Sequence, residues 1–171
     1  ERVWLKRRFK EYKIKDQDLA KLKMRMDIVP TSVALAQAAN ESGWGTSRFA
    51  LEGNALFGQW TWSEKGISPE NQDPDKTHKI LQFQILKASV RAYKNNLNTH
   101  NAYKEFREAR AKLRQENKQI VGLDLTKYLI NYASIGQKYV DILESIIERH
   151  SLTDFDKAIL LPTKLARGVA L

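Results

Sequence analysis

Glu41 closes an alanine-rich stretch, Pro30 to Gly45, that reads "PTSVALAQAANESGWG". Pro30 and the hydroxyl pair Thr31-Ser32 form a start signal, and Val33, Leu35, Ala36, Ala38 and Ala39 leave almost no polar face, so a buried central helix is expected. A carboxylate at its end is misplaced for stability, because the helix field there favours cations by ~0.3 to 1 kcal/mol. Desolvation and that field both disfavour the charged form, so both raise the pKa. A carboxylic acid kept protonated near neutral pH suits a general acid that delivers a proton to a leaving oxygen, as glycoside hydrolysis requires. In an arbitrary helix such a glutamate is ordinarily a solvated surface residue. The context "AxESGWG" argues against that here.

The elements that must position Glu41 follow from texture. Before it, Leu19, Leu22 and Met26 recur at helical spacing after "DQD", which predicts a helix ahead of Asp27. After it, from Gly43 to Phe83, lie three of the four tryptophans and two of the four prolines. "NALFGQWTW" reads as an extended segment, "HKILQF" as a strand, and "SEKGISPENQDPDK" between them as a polar loop, together a small β-lobe over about 55–84. Helical periodicity then returns. Val90, Tyr93 and Leu97 make one stripe, Tyr103, Phe106, Arg110 and Leu113 another, "LTKYLINYA" a third, and Tyr139 through Ile147 a fourth. One domain over 1–150 is expected, with 151–171 as a C-terminal tail that is either a packed strap or disordered.

Composition bounds the partners. The chain has 171 residues, 42% apolar and 29% charged, enough for a globular core. No apolar run approaches the ~18 to 20 residues of a membrane span. The net charge of +9 favours an acidic partner, whether nucleic acid, an anionic membrane or an acidic polymer such as a cell wall. No zinc finger, RNP-type motif or convincing helix-turn-helix accompanies it, so nucleic acid is not expected. Zero cysteines exclude disulfides, cysteine nucleophiles and thiolate metal sites. His78, His100 and His150 stand far apart, none in HExxH, and neither a GxSxG elbow nor a Walker A loop is present. No metal or organic cofactor is expected. Because the chain opens at Glu1, it is silent on any targeting segment.

"LAQAANESGWGTSRFALEGNALFGQW" closely resembles the motif of the family 73 glycoside hydrolases, bacterial endo-β-N-acetylglucosaminidases of the lysozyme-like superfamily. Within that family it is most similar to the Bax-type branch of bacterial envelope proteins. The resemblance runs from about Asp27 to Arg149 and takes in "NTHNAYKEFREARAKLR" and "YASIGQKYVDIL". It implies a mainly α (α+β), lysozyme-like helical domain with a small β-lobe. It also implies hydrolysis of the β-1,4 bond between N-acetylglucosamine and N-acetylmuramic acid in peptidoglycan strands, by a monomer in the bacterial cell envelope, periplasmic or exported.

Residue by residue, the resemblance makes Glu41 the catalytic acid. Ser42 begins the turn, Gly43 and Gly45 let the backbone pass near the sugar, and Trp44 helps to desolvate the acid. Asn54, Phe57, Gly58 and Gln59 match the floor of the cleft, with Phe57 in the core and Asn54 and Gln59 as donors to an N-acetyl group. Tyr132 of "NYASIG" matches a tyrosine that faces the acid across the cleft, and Tyr139 is assigned to packing. Trp60 and Trp62, at alternate positions of a strand, can present both rings on one side as a sugar platform.

Hydrolysis needs a second group: a base roughly 6.5 to 9.5 Å away for inversion, a nucleophile at about 5 to 5.5 Å for retention, or the substrate's own acetamido group. The β-lobe offers Glu64, Glu70, Asp73 and Asp75, and Glu70 stands at about the expected separation before Phe83. Two alternatives share these residues. A lytic transglycosylase on the same fold needs one glutamate alone, although its usual Gly-Leu-Met-Gln segment is replaced here by "LFGQ". A basic peptidoglycan-binding domain needs none.

Overall fold

The computed structural model describes residues 1–64, 66–68 and 78–159. Glu70, Asp73 and Asp75 lie outside them. The chain is mainly helical, with α1 (Arg2–Glu11), α2 (Leu19–Arg25), α3 (Thr31–Ser42) and α4 (Arg48–Gly53) ahead of a small sheet, and α5 (Leu86–Thr99), α6 (Lys104–Gln115) and α7 (Gln137–Arg149) after it. Short 3₁₀ segments at Asn101–Tyr103, Leu123–Leu129 and Leu152–Lys157 link and finish the helices. Among the described residues no helix is long and apolar enough to cross a membrane.

Helix α3 forms where its start and stop signals predict. Pro30 precedes it with φ −52°, a value proline fixes by itself. At the other end Gly43 adopts the left-handed conformation, φ 56°, and its N–H reaches the Ala39 carbonyl. Val33 and Ala36 are fully buried, in a core shared with Phe57, Tyr93, Leu97, Phe106, Leu125, Leu129, Tyr139, Leu143 and Ile147. The end of the chain closes over the start of α3. Asp156, in the last 3₁₀ segment, accepts from the Ser32 N–H and hydroxyl and from the Gly122 N–H, each at 2.8 Å. Gly122 has no room for a Cβ, which would stand 1.9 Å from the Ser32 hydroxyl. Through Asp156, the segment Leu152–Lys157 is tied to the start of α3.

Among the described residues the β-lobe holds three short strands. Strands β1 (Trp60–Thr61), β2 (Gly66–Ile67) and β3 (Lys79–Leu81) form an antiparallel sheet in the order β1-β3-β2, with Trp60 opposite Ile80 and Gly66 opposite Leu81. "NALFGQWTW" is extended only at its end. Asn54, at φ 50°, caps α4 in the left-handed region and Gly58 turns at φ 57°, so the backbone before Trp60 is bent twice.

Three helical expectations are modified. The buried face of α5 runs Ser89, Tyr93, Leu97, and Val90 points outward at 44% exposure. Ser89 belongs inside because its hydroxyl accepts the Leu56 N–H at 3.2 Å. "LTKYLINYA" winds as a 3₁₀ segment to Leu129 and then as turns, so Tyr132 sits on a turn and not on a helix. The segment before Asp27 holds two helices, with Phe9 of the first and Tyr12 and Ile14 of the connection that follows packed on Leu22 of the second.

Arg110, in the apolar stripe of α6, is fully buried. Its guanidinium donates to the carbonyls of Ile28 and Met24 and to Asn98 Oδ1, and lies 3.7 Å from Asp27. Arg107 donates to the Leu97 and His100 carbonyls at 2.9 and 2.8 Å. Part of the basic cluster at 107–114 therefore ties the chain between α2 and α3 to α5 and α6, and is not offered to an acidic partner.

Candidate active site

Glu41 lies in the last turn of α3, one residue before the helix ends. Ser42 fixes the turn: its buried hydroxyl donates to the Ala38 carbonyl and accepts the Gly45 N–H at 2.8 Å. Gly43, Trp44 and Gly45 all have positive φ, and at Trp44, φ 57°, that conformation carries strain. The chain reverses sharply and Glu41 faces the β-lobe segment that follows α4.

One tyrosine touches the carboxyl group, and a series of stacked aromatic rings stands behind it. The Tyr139 hydroxyl, from α7, donates to Oε1 of Glu41 at 2.9 Å, and the Asn40 amide reaches the same oxygen at 3.3 Å. The Tyr132 ring stacks on that of Tyr139, centroids 5.5 Å apart and 6° from parallel, and its hydroxyl donates to the Phe57 carbonyl at 3.0 Å. Phe57 in turn stacks on Tyr93 at 3.9 Å and 8°. The segment Phe57-Gly58 is thereby held over the acid, and Oε2 of Glu41 faces Gly58. A Cβ on Gly58 would stand 2.9 Å from that oxygen. Glycine serves twice there, for its positive φ and for the space it leaves.

This environment sets the proton affinity. Burial pushes the Glu41 carboxyl above the usual glutamate range, and the hydrogen bonds from Tyr139 and Asn40 oppose the shift without cancelling it. Burial also drives the hydroxyls of Tyr93, Tyr132 and Tyr139 well above the usual tyrosine value, and Tyr103 up to about 12. They are neutral donors wherever Glu41 titrates. The site presents a raised carboxylic acid with one oxygen tied down and the other beside a glycine.

The remaining expected site residues are placed as follows. Trp44 is 61% exposed, its ring edge-on to His150 at 4.8 Å. Asn54 is the cap of α4, and its amide donates to the Phe83 carbonyl at 3.0 Å. Gln59 is half-buried, with Oε1 shielded from solvent and without a hydrogen-bond partner among the described residues. Trp60 lies in β1, 61% exposed and stacked on His78 at 4.2 Å; Trp62 falls just past the strand at 73% exposure. Glu64 is exposed, and Glu70 lies outside the described residues.

Tyr139, expected only to pack, is the tyrosine that touches the acid. Behind it stand Gln37 and Tyr93, neither of which the motifs singled out as functional. Gln37 carried a legible signal: it is the one long polar side chain inside an otherwise apolar stretch of α3, four residues before Glu41 and so on the same face. For Tyr139 the sequence offered no such sign.

The family model described as mannosyl-glycoprotein endo-beta-N-acetylglucosaminidase matches residues 17–152, a span that runs from just before α2 to the start of the final 3₁₀ segment. Among curated proteins, "Protein bax" of Escherichia coli (strain K12) is 38% identical over 149 residues, 84% of this chain and 53% of that protein. The chain thus spans about half the length of that relative. No solved structure matches it significantly. With a family match across nearly all of the helical core and the acid-bearing turn, the chain belongs to the Glucosaminidase family of glycoside hydrolase domains.

Proposed function

We propose that this domain cleaves the β-1,4 bond between N-acetylglucosamine and N-acetylmuramic acid in peptidoglycan, in the bacterial cell envelope, with Glu41 as general acid. The observation that carries the reading is a half-buried carboxyl group with a raised pKa, tied at Oε1 to Tyr139 and bordered at Oε2 by Gly58. Protonated Oε2 gives its proton to the glycosidic oxygen as the bond to the anomeric carbon breaks. Water completes the hydrolysis: its oxygen bonds to the anomeric carbon and its proton passes to the second carboxylate.

Glu70 is the proposed second carboxylate. Gln59 is the proposed reader of the N-acetyl group, and its unpartnered Oε1 suits an acetamido N–H: the residue acts as acceptor where the sequence suggested a donor. Exposed Trp60 and Trp62 supply the apolar faces on which a pyranose stacks, and Trp44 lies on the same connection as the acid.

End-group analysis of digested peptidoglycan tests the reaction type. Hydrolysis leaves a reducing N-acetylglucosamine end. A 1,6-anhydromuramic end would replace this reading with transglycosylation, and undigested strands retained by the protein would make it a binding domain. Loss of cleavage in Glu70→Gln, with azide restoring turnover in Glu70→Ala, is expected of a second carboxylate; a Glu70→Gln variant as active as wild type would remove it from the mechanism.

A further inference from the structure

Behind Glu41 three buried side chains stand in file. The Tyr93 hydroxyl lies 2.7 Å from Gln37 Oε1, Gln37 Nε2 lies 2.9 Å from the Tyr139 hydroxyl, and that hydroxyl lies 2.9 Å from Glu41 Oε1. All three are at most 1% exposed. An amide can occupy its site in two orientations, and each sends the Tyr139 proton to a different oxygen.

With Oε1 toward Tyr93, both hydroxyl protons have an acceptor. Tyr93 donates to Oε1, Nε2 donates to the Tyr139 oxygen, and the Tyr139 proton is left for Glu41. In the reverse orientation Nε2 donates to Tyr93, whose own proton then has no acceptor among the described residues, while Oε1 draws the Tyr139 proton away from Glu41. A buried donor left unmade is the costlier arrangement, so Tyr93 decides the orientation.

We propose that Gln37, oriented by Tyr93, is a positioning residue that aims the Tyr139 proton at Oε1 of Glu41 and leaves Oε2 to carry and deliver the acid's own proton. This rests on the reading of Glu41 as general acid. The titratable groups facing the carboxyl are Tyr93 from α5, Tyr103 from the 3₁₀ segment before α6, Tyr132 from the turn before α7 and Tyr139 from α7. All are held neutral through the acid and neutral range. The relay is therefore a fixed set of dipoles acting on one titrating group. Its effect is to hold the acid below the value that burial alone would impose.

The test is a carbon-detected NMR titration of the Glu41 carboxyl, which needs no turnover. Tyr139→Phe is expected to raise the midpoint by about one unit and Tyr93→Phe by about half a unit, because the freed amide then populates both orientations. Tyr12→Phe, in the separate cluster by α1, should match wild type. A Tyr93→Phe midpoint equal to wild type would overturn the proposal. If that variant does not fold, the Gln37 side-chain amide protons of the wild type decide: they should shift with the Glu41 midpoint, and resonances indifferent to it would overturn the proposal equally. Shifted midpoints in a protein that never cleaves would sink the catalytic reading and leave the relay standing, whereas cleavage without the shifts would sink the relay alone.

Discussion

The hydroxyl of Tyr139 lies 2.9 Å from Oε1 of Glu41, joining α7 to the last turn of α3 across 98 residues of sequence. Burial raises the pKa of Glu41 and this hydrogen bond lowers it, with burial the larger. With Glu41 as the proposed general acid, the protonated form is the active one, so muropeptide release should be high below that raised pKa and fall as pH climbs through it. Tyr139→Phe removes the opposing contribution, so the alkaline limb of its pH–rate profile should move upward. A limb that moves down would show that the contact favours the protonated acid instead.

Glu41 should also cost stability at higher pH. Its folded pKa lies above its unfolded value of about 4.3, so its favourable contribution is complete below that value and is lost as pH rises through the folded pKa. Glu41→Gln carries no charge to bury. Its melting temperature should exceed that of wild type at pH 8, with the gap closing near pH 4; a wild type more stable at pH 8 would contradict the assigned burial.

Gly58→Ala combines two penalties. The left-handed backbone at φ 57° costs about 1–2 kcal/mol for a residue with a Cβ, and that Cβ would press on Oε2 of Glu41 from 2.9 Å. Thermal melts should show the modest loss of stability, while cleavage should fall about tenfold or more as the acid is displaced. Full activity in a folded variant would show that Gly58 does not border the reacting oxygen.

Arg110→Met should destabilise by about 3–5 kcal/mol, because Asp27 and the Ile28 and Met24 carbonyls lose a buried donor together. Arg114 binds the same Asp27 through two hydrogen bonds but is half-exposed, so Arg114→Ala should cost about 1 kcal/mol. Denaturant titration of the two variants separates a structural arginine from a surface one. Equal costs would mean that burial does not distinguish them.

How far these relations were legible in the sequence depends on their range. Helix α3 was readable because its signals are local: proline ahead, glycine behind and an apolar run between. Arg110 was readable as a member of the α6 stripe, although an arginine at a core position gains its meaning only from carbonyls more than 80 residues away. Helix α4 escaped because it is six residues long and its stop signal, Asn54 in the left-handed region, opens the segment that reads as extended. Tyr139 escaped because nothing local distinguishes a tyrosine that packs from one that packs and also donates; the difference is set by Gln37, Tyr93 and Glu41, brought from two other helices. The place of Glu41 at the end of α3 could be argued from one helix, whereas the hydrogen bonds around its carboxyl group could not.

The most direct test of the central claim compares wild type and Glu41→Gln on purified peptidoglycan, with cleavage followed by mass spectrometry of the released muropeptides and binding by co-sedimentation. Equal binding is expected, with a loss of cleavage of about two orders of magnitude or more in the variant. Equal muropeptide release from both proteins, or none from either, would contradict it.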